Sequence, residues 1–145
     1  MSGTFNFQCS VINTEQDSKL LFSIIVNNTV LVESTVIKSL TTFSLDIPDS
    51  GTQEIRLVMS GKQPTDTTFD SSGNFVKNPM IEIRSIVIES CDCQRWVSEN
   101  SKYTHNFNDG NADTIVDSFD TCMGCNGSVS FEIVTPVYVW LLDTI

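Results

Sequence analysis

Four of the five cysteines fall in two close pairs, Cys91-Asp-Cys93 and Cys122-Met-Gly-Cys125. Thiolates are zinc ligands, and four of them close a tetrahedral site. The second pair has the two-residue gap usual in such sites, and its glycine lets the loop turn. The one-residue gap of the first pair is unusual for a zinc knuckle. A disulfide between the two segments is an alternative, whereas one inside Cys91-Asp-Cys93 would be strained. The third reading is chemically quiet, since free cysteines commonly serve as small buried apolar residues. With Cys9 the count is odd, which argues against a secreted disulfide framework.

Oxygen ligands are the second candidate. Asp109, Asn111 and Asp113 alternate as ligands do in calcium loops. An EF-hand needs glycine at the sixth place and glutamate at the twelfth, and here Thr114 and Asp120 stand there. Asp66, Asp70 and Asn74 form a looser set. Plain solvated turns are the simpler reading of both groups. These patterns demand no cofactor; the ions they would take are calcium at the acidic loop and zinc at the cysteines.

Aromatic side chains are the third. Trp96, Tyr103, Tyr138 and Trp140 can stack on sugar rings or anchor an interface. In an extended chain Tyr138 and Trp140 share one face, and Val137, Val139 and Leu141 the other. Such a segment is apolar on both faces. It is either a central strand or a surface docked on another subunit.

Catalytic constellations are thin. His105 is the single histidine and sits in a strand-like alternation. Cys122 with His105 is a conceivable nucleophile and base, but nothing local supports the pair. No nucleophile elbow, phosphate-binding loop or dinucleotide fingerprint occurs. The expectation is a protein that is not an enzyme.

These residues must be positioned by a chain of 145 residues with a net charge of −10. That length suits one domain spanning residues 1–145. A hydrophobic share of 40% and a charged share of 18% describe a chain that folds. Its negative field repels phosphate backbones and anionic lipid, so neither nucleic acid nor a membrane is an expected partner. The start, MSGTFNFQCS, has no basic segment followed by an apolar one, so the expectation is synthesis in a cytoplasm without export by a signal peptide. The longest apolar run, Val137 to Leu142, is far short of the ~20 residues of a membrane helix.

The hydrophobic period is two almost throughout. Phe5, Phe7, Cys9 and Val11 alternate with polar residues, as do Leu20, Phe22, Ile24 and Val26. Asn27-Asn28 tolerates the left-handed region and predicts a hairpin with the run Thr29 to Val36. Phe43, Leu45 and Ile47, then Ile55, Leu57 and Met59, predict two more strands around a turn at residues 48–51. A long polar loop runs from Gly61 to Pro79. Ile81, Ile83, Ile86 and Ile88 change parity, which predicts a β-bulge near Ser85. Residues 91–100 read as irregular, and Tyr103, His105 and Phe107 as a strand. Ile115 to Thr121 reads as a strand or a helical turn, and Cys122 to Gly127 as a tight loop. Val129, Phe131 and Ile133 predict a strand ended by Pro136. No sustained 3.6-residue period occurs. The fold class is therefore all-β: a single β-sandwich or jelly roll of eight or more antiparallel strands whose two sheets share one core.

Several strings carry a resemblance. Val58-Met-Ser-Gly-Lys62, Asp66-Thr67, Ser72-Gly-Asn74, Tyr103-Thr-His-Asn-Phe107, Met123-Gly-Cys-Asn-Gly127, Thr135-Pro136 and the segment Tyr138 to Leu142 resemble small proteins of tailed phages of marine cyanobacteria. The likeness runs from about Lys19 to the C-terminus; Cys91-Asp-Cys93 stands outside it. It implies a structural or accessory protein of a virion, on capsid, neck or tail. Its partners would be other virion proteins in a homo-oligomer or multi-copy assembly, with Tyr138, Trp140, Leu141 and Leu142 at a subunit contact. The first half also resembles calcium-dependent xylan-binding modules, in a hairpin about a short turn and a strand before the Gly61-Lys62 loop. That likeness implies the alternative: a carbohydrate-binding module that recognises glycans through Trp96 or Tyr103, with calcium near Asp109, Asn111 and Asp113.

Overall fold

The computed structural model describes residues 3–105 and 115–144. The alternating segments form thirteen strands in these regions. They are β1 (Thr4–Asn13), β2 (Leu20–Val26), β3 (Thr29–Ile37), β4 (Thr41–Pro48), β5 (Thr52–Ser60), β6 (Thr68–Phe69) and β7 (Phe75–Lys77). Then follow β8 (Ile81–Ile88), β9 (Cys91–Asp92), β10 (Lys102–His105), β11 (Ile115–Ser118), β12 (Cys122–Met123) and β13 (Gly127–Val134). Two helices interrupt them, α1 (Gln94–Asn100) and α2 (Val137–Thr144).

The first sheet has the order β12-β8-β1-β4, with β9 also paired to β8. The second has the order β11-β10-β13-β5-β2-β3, and β6 with β7 makes a separate two-stranded ribbon. The long strands of the two main sheets show one face to the opposite sheet. Phe5, Phe7, Cys9 and Val11 of β1, and Leu20, Phe22, Ile24 and Val26 of β2, all lie in one shared core. A sheet alone cannot cover its apolar face, so the two sheets must face each other, and this is the expected sandwich.

Local chemistry sets several connections. Asn27 and Asn28 have φ of 49° and 68°, the doubly left-handed turn that matches strand twist between β2 and β3. In β8 the pairing with β1 steps from Ser10↔Ser85 to Val11↔Ile83, leaving Arg84 as the extra residue. This is the expected bulge, and it lets Ile81, Ile83, Ile86 and Ile88 all point inward. Gly127 opens β13 opposite His105; a Cβ there would sit 2.2 Å from the Thr104 carbonyl oxygen. Only glycine lets β10 approach so closely. In the long connection after β5, the Lys62 ammonium is buried and donates to Asn78 Oδ1 at 2.9 Å and the Gly124 carbonyl at 2.6 Å. Desolvation holds its pKa below the usual lysine value.

Four segments differ from the expectation: the loop from Gly61 to Pro79 carries the β6–β7 ribbon, the loop from Cys122 to Gly127 begins with β12, and two others change more. Residues 91–100 are ordered as β9 and α1. The last apolar segment is the helix α2, not a strand. Its buried residues are Val137, Trp140 and Leu141, an i, i+3, i+4 face. Asp49 Oδ1 accepts the Val137 N–H at 2.9 Å and so satisfies one of the free donors at the helix start. A short apolar run reads as strand or buried helix alike, and only the surface that covers it decides.

Candidate functional site

The candidate site begins with α1. Asp92 Oδ1 accepts the Gln94 N–H at 3.0 Å, and Gln94 Nε2 donates to the Ile83 carbonyl at 2.6 Å. These bonds, with buried Val97, fix the helix against β8. Trp96 is half-buried. Its ring packs edge-on against Trp140 at 4.8 Å and against Phe131 at 6.2 Å, so two core aromatics hold it in place. Asn100 Nδ2 donates to the Trp96 carbonyl at 2.9 Å.

The chain then enters β10 at Lys102. Register across the second sheet brings Lys102, Ser130 and Arg56 into one row and Glu132 and Glu54 into the next. These positions lie on the outer face, because Val129, Phe131 and Ile133 of β13 and Ile55 and Leu57 of β5 point into the core. Like charges directly opposite repel, and Arg56 relieves the pair. Its Nε lies 3.3 Å from Glu54 Oε1, and its guanidinium also donates to Asn28 Oδ1 at 2.8 Å. Among the described residues, Glu132 and Lys102 have no ion pair. Glu54, Trp96, Asn100, Lys102, Ser130, Phe131 and Glu132 line an open groove of about 380 Å³. That volume falls within the range of small-ligand sites. Two carboxylates, an ammonium, an amide and a hydroxyl converge beside an indole. The set can accept and donate hydrogen bonds to a polyhydroxylated ligand while the indole covers an apolar face.

Of the residues singled out from sequence, Trp96 lies in this groove and Tyr103 does not. Tyr103 is buried; its hydroxyl bonds both the N–H and the carbonyl of Cys125. It is a structural tyrosine whose ring and hydroxyl are spent inside the fold, so of the two aromatics expected to meet a sugar only Trp96 lines the groove. His105 lies buried beside it, ring centroids 4.5 Å apart, in the second sheet, while Cys122 belongs to the first. Sequence reasoning missed Glu54, Asn100, Lys102, Ser130 and Glu132, which carry no local motif.

The four-cysteine site is also corrected. Cys91 pairs with Ile88 and Cys122 with Glu82, so they sit six residues apart along β8, about 20 Å. Neither a disulfide nor one zinc ion spans that distance. Among the described residues none of Cys9, Cys91, Cys93, Cys122 and Cys125 is joined in a disulfide. Burial pushes the Cys9 thiol up to about 12 and the Cys93 thiol up to about 11, which opposes the thiolate a metal needs. Burial also raises the Cys122 pKa.

The expected contact residues separate. Trp140 and Leu141 belong to the core, while Tyr138 and Leu142 are exposed on the outer side of α2. A single interface through all four is therefore corrected to a surface at Tyr138 and Leu142. There, Glu89, Cys91, Tyr138, Leu141 and Leu142 surround an apolar hollow of about 260 Å³.

Asp109, Asn111 and Asp113 lie outside the described residues. Among the described ones, no group of three or more histidine, cysteine or acidic side chains is placed to hold a metal ion. The Asp70 carboxylate serves the backbone instead. Its Oδ1 accepts the N–H groups of Ser72 and Asn74, each at 2.9 Å, and closes a turn. Asp66 likewise accepts the Gln63 N–H at 2.7 Å.

No protein-family model matches the chain, and a search of curated proteins returns no match. Two solved structures share its fold. One is described as vCBM60 in complex with galactobiose; it is 16% identical, has a TM-score of 0.51, and the match covers 87% of this chain and 96% of that one. The other is a selenomethionine form of vCBM60, described in terms of a circular permutation linking two families of calcium-dependent carbohydrate-binding modules. It is 15% identical with a TM-score of 0.55, over 88% of this chain and 89% of that one. The chain thus shares the β-sandwich fold of these two structures.

Proposed function

We propose that this protein is a non-catalytic carbohydrate-binding module whose ligand lies in the groove at Trp96. The observation that carries the reading is the convergence of Glu54, Glu132, Lys102, Asn100 and Ser130 beside one braced indole. The shared fold supports it, although fold alone does not assign a ligand. The groove's polar groups come mainly from strands of one sheet, which fixes the backbone positions from which they reach a ligand. The described residues build no calcium cradle, and no step of this recognition is routed through a cation.

The test is a glycan array in calcium and again in EDTA, followed by titration of the best ligand against Glu132→Ala and Lys102→Ala. Both side chains are exposed, so these variants keep the fold. The expected result is binding that falls about tenfold or more in each variant, the loss of one charged hydrogen bond. No binding to any glycan in either buffer refutes the reading. Loss in EDTA shows that binding needs a cation, and the same loss with calcium present in Asp109→Ala/Asp113→Ala assigns it to the acidic run Asp109, Asn111 and Asp113.

A second reading is a multi-copy component of a tailed-phage virion. The exposed apolar side of α2, at Tyr138, Val139 and Leu142, favours it. The two readings are compatible, since a particle protein can also touch host glycans. The comparisons support the carbohydrate reading more directly.

A further inference from the structure

The connection between β5 and β8 carries a feature that folding does not explain. Phe69 and Phe75 face each other across the β6–β7 ribbon, ring centroids 5.0 Å apart and tilted by 30°. They are 59% and 63% exposed, and Val76 beside them is also exposed. Phenylalanine is among the residues most often buried, so two solvent-facing rings in contact mark a binding surface.

The ribbon is held in shape before any ligand arrives. Asp70 closes its tip through Ser72 and Asn74, the Asp70 N–H bonds the Asn74 carbonyl at 2.8 Å, and Gly73 takes a φ of 84°. Lys77 pairs with Asp17 at its base. Thr67 Oγ1 and the Lys62 ammonium both meet Asn78 Oδ1. The rings are therefore presented on a braced support, and little ordering cost remains for binding.

The charge around the rings selects the ligand. Asp70 Oδ1 is engaged in its own turn but its carboxylate keeps its negative charge, and Lys77 is paired with Asp17, so the tip presents one acidic group and, among the described residues, no unpaired cation; exposed Ser71, Ser72 and Asn74 border it. A chain of net charge −10 with no basic cluster at this tip repels anionic lipid and phosphate. Two rings and a valine are far smaller than the roughly 800 Å² per partner of a stable protein interface. A neutral sugar fits: its C–H face lies on an aromatic ring and its hydroxyls reach polar neighbours.

We infer that the Phe69–Phe75 pair is a second contact for a neutral polysaccharide, apart from the Trp96 groove. This rests on the carbohydrate-binding reading. β5 runs six residues from Glu54 at the groove to Ser60, where the connection to the ribbon begins, about 20 Å. Contacts that lie at the Glu54 end of β5 and beyond its Ser60 end suit a chain of many sugar units. Engagement of one raises the effective concentration at the other.

The experiment compares wild type, Phe69→Ser/Phe75→Ser, Phe75→Trp and Glu132→Ala on a neutral polysaccharide and on a short oligosaccharide of the same sugar. Thermal melts confirm folding, which exposed positions leave unchanged. The expected result is about a tenfold loss on the polysaccharide for the double serine variant, little change on the oligosaccharide, and retained binding in Phe75→Trp. Wild-type affinity in the double serine variant, with loss in Glu132→Ala, overturns the ribbon contact and leaves the groove reading standing. No binding by wild type overturns both. Wild-type binding to phosphatidylcholine vesicles that the double serine variant loses assigns the ribbon to lipid and overturns the inference.

Discussion

Replacing Trp140 by alanine tests the packing that unites the C-terminal helix with the groove. Trp140 is 9% exposed and its ring meets Trp96 edge-on at 4.8 Å, whereas Tyr138 is 64% and Leu142 83% exposed. Truncating a buried tryptophan costs about 3–5 kcal/mol through lost transfer energy and the cavity left behind. Removing an exposed side chain away from special features stays within about 0.5 kcal/mol. With a urea dependence near 2 kcal/mol per molar, Trp140→Ala moves the unfolding midpoint down by about 2 M. The melting temperature falls by roughly 10 °C. Tyr138→Ala and Leu142→Ala leave both near wild type. Urea titration followed by circular dichroism reads all three. Trp140→Ala also removes the brace behind Trp96, so glycan affinity falls even where the variant remains folded. A strand would place Tyr138 and Trp140 on one face. Similar losses at both positions, or a neutral Trp140→Ala, would refute the helix and the bracing argument together.

Two further outcomes follow from the packing. If the exposed side of α2 is an assembly surface, sedimentation shows concentration-dependent association that Leu142→Asp abolishes while the melt is unchanged; a monomer at all concentrations removes the assembly reading. The buried thiols set an alkaline limit. Cys9 and Cys93 keep their protons in the folded state up to about 12 and about 11, while the unfolded chain loses them near the ordinary thiol value of 9.0. Above that value the folded state binds more protons than the unfolded one, so stability falls as pH rises from about 9 to 11. Lys62, whose pKa is lowered on folding, works in the opposite direction below 10.5. Cys9→Ala flattens the alkaline decline measured by urea midpoints, and an unchanged slope would show that Cys9 does not contribute.

Much of the framework is legible along the chain because it is local. A strand alternates its side chains by covalent geometry, so Phe5, Phe7, Cys9 and Val11 announce a buried face without knowledge of what covers it. Asn27-Asn28 announces a turn because both tolerate positive φ, and the parity change between Ile83 and Ile86 announces the bulge at Arg84. Trp96 could be singled out from its type alone. Other features depend on which distant segments meet. Val137 to Leu142 is apolar at nearly every place, and it became a helix because only Val137, Trp140 and Leu141 found core to cover them. The cysteine pairs look like one site until strand register separates Cys91 from Cys122 along β8. Glu54 and Glu132 lie far apart in sequence and face each other only through the pairing of β5 with β13. Sequence determined the alternation, the turns and the all-β class, because these follow from each residue and its immediate neighbours. The tertiary structure decided the helix, the fate of the thiols and the composition of the groove, because those rest on hydrogen-bond register and burial between segments remote in the chain.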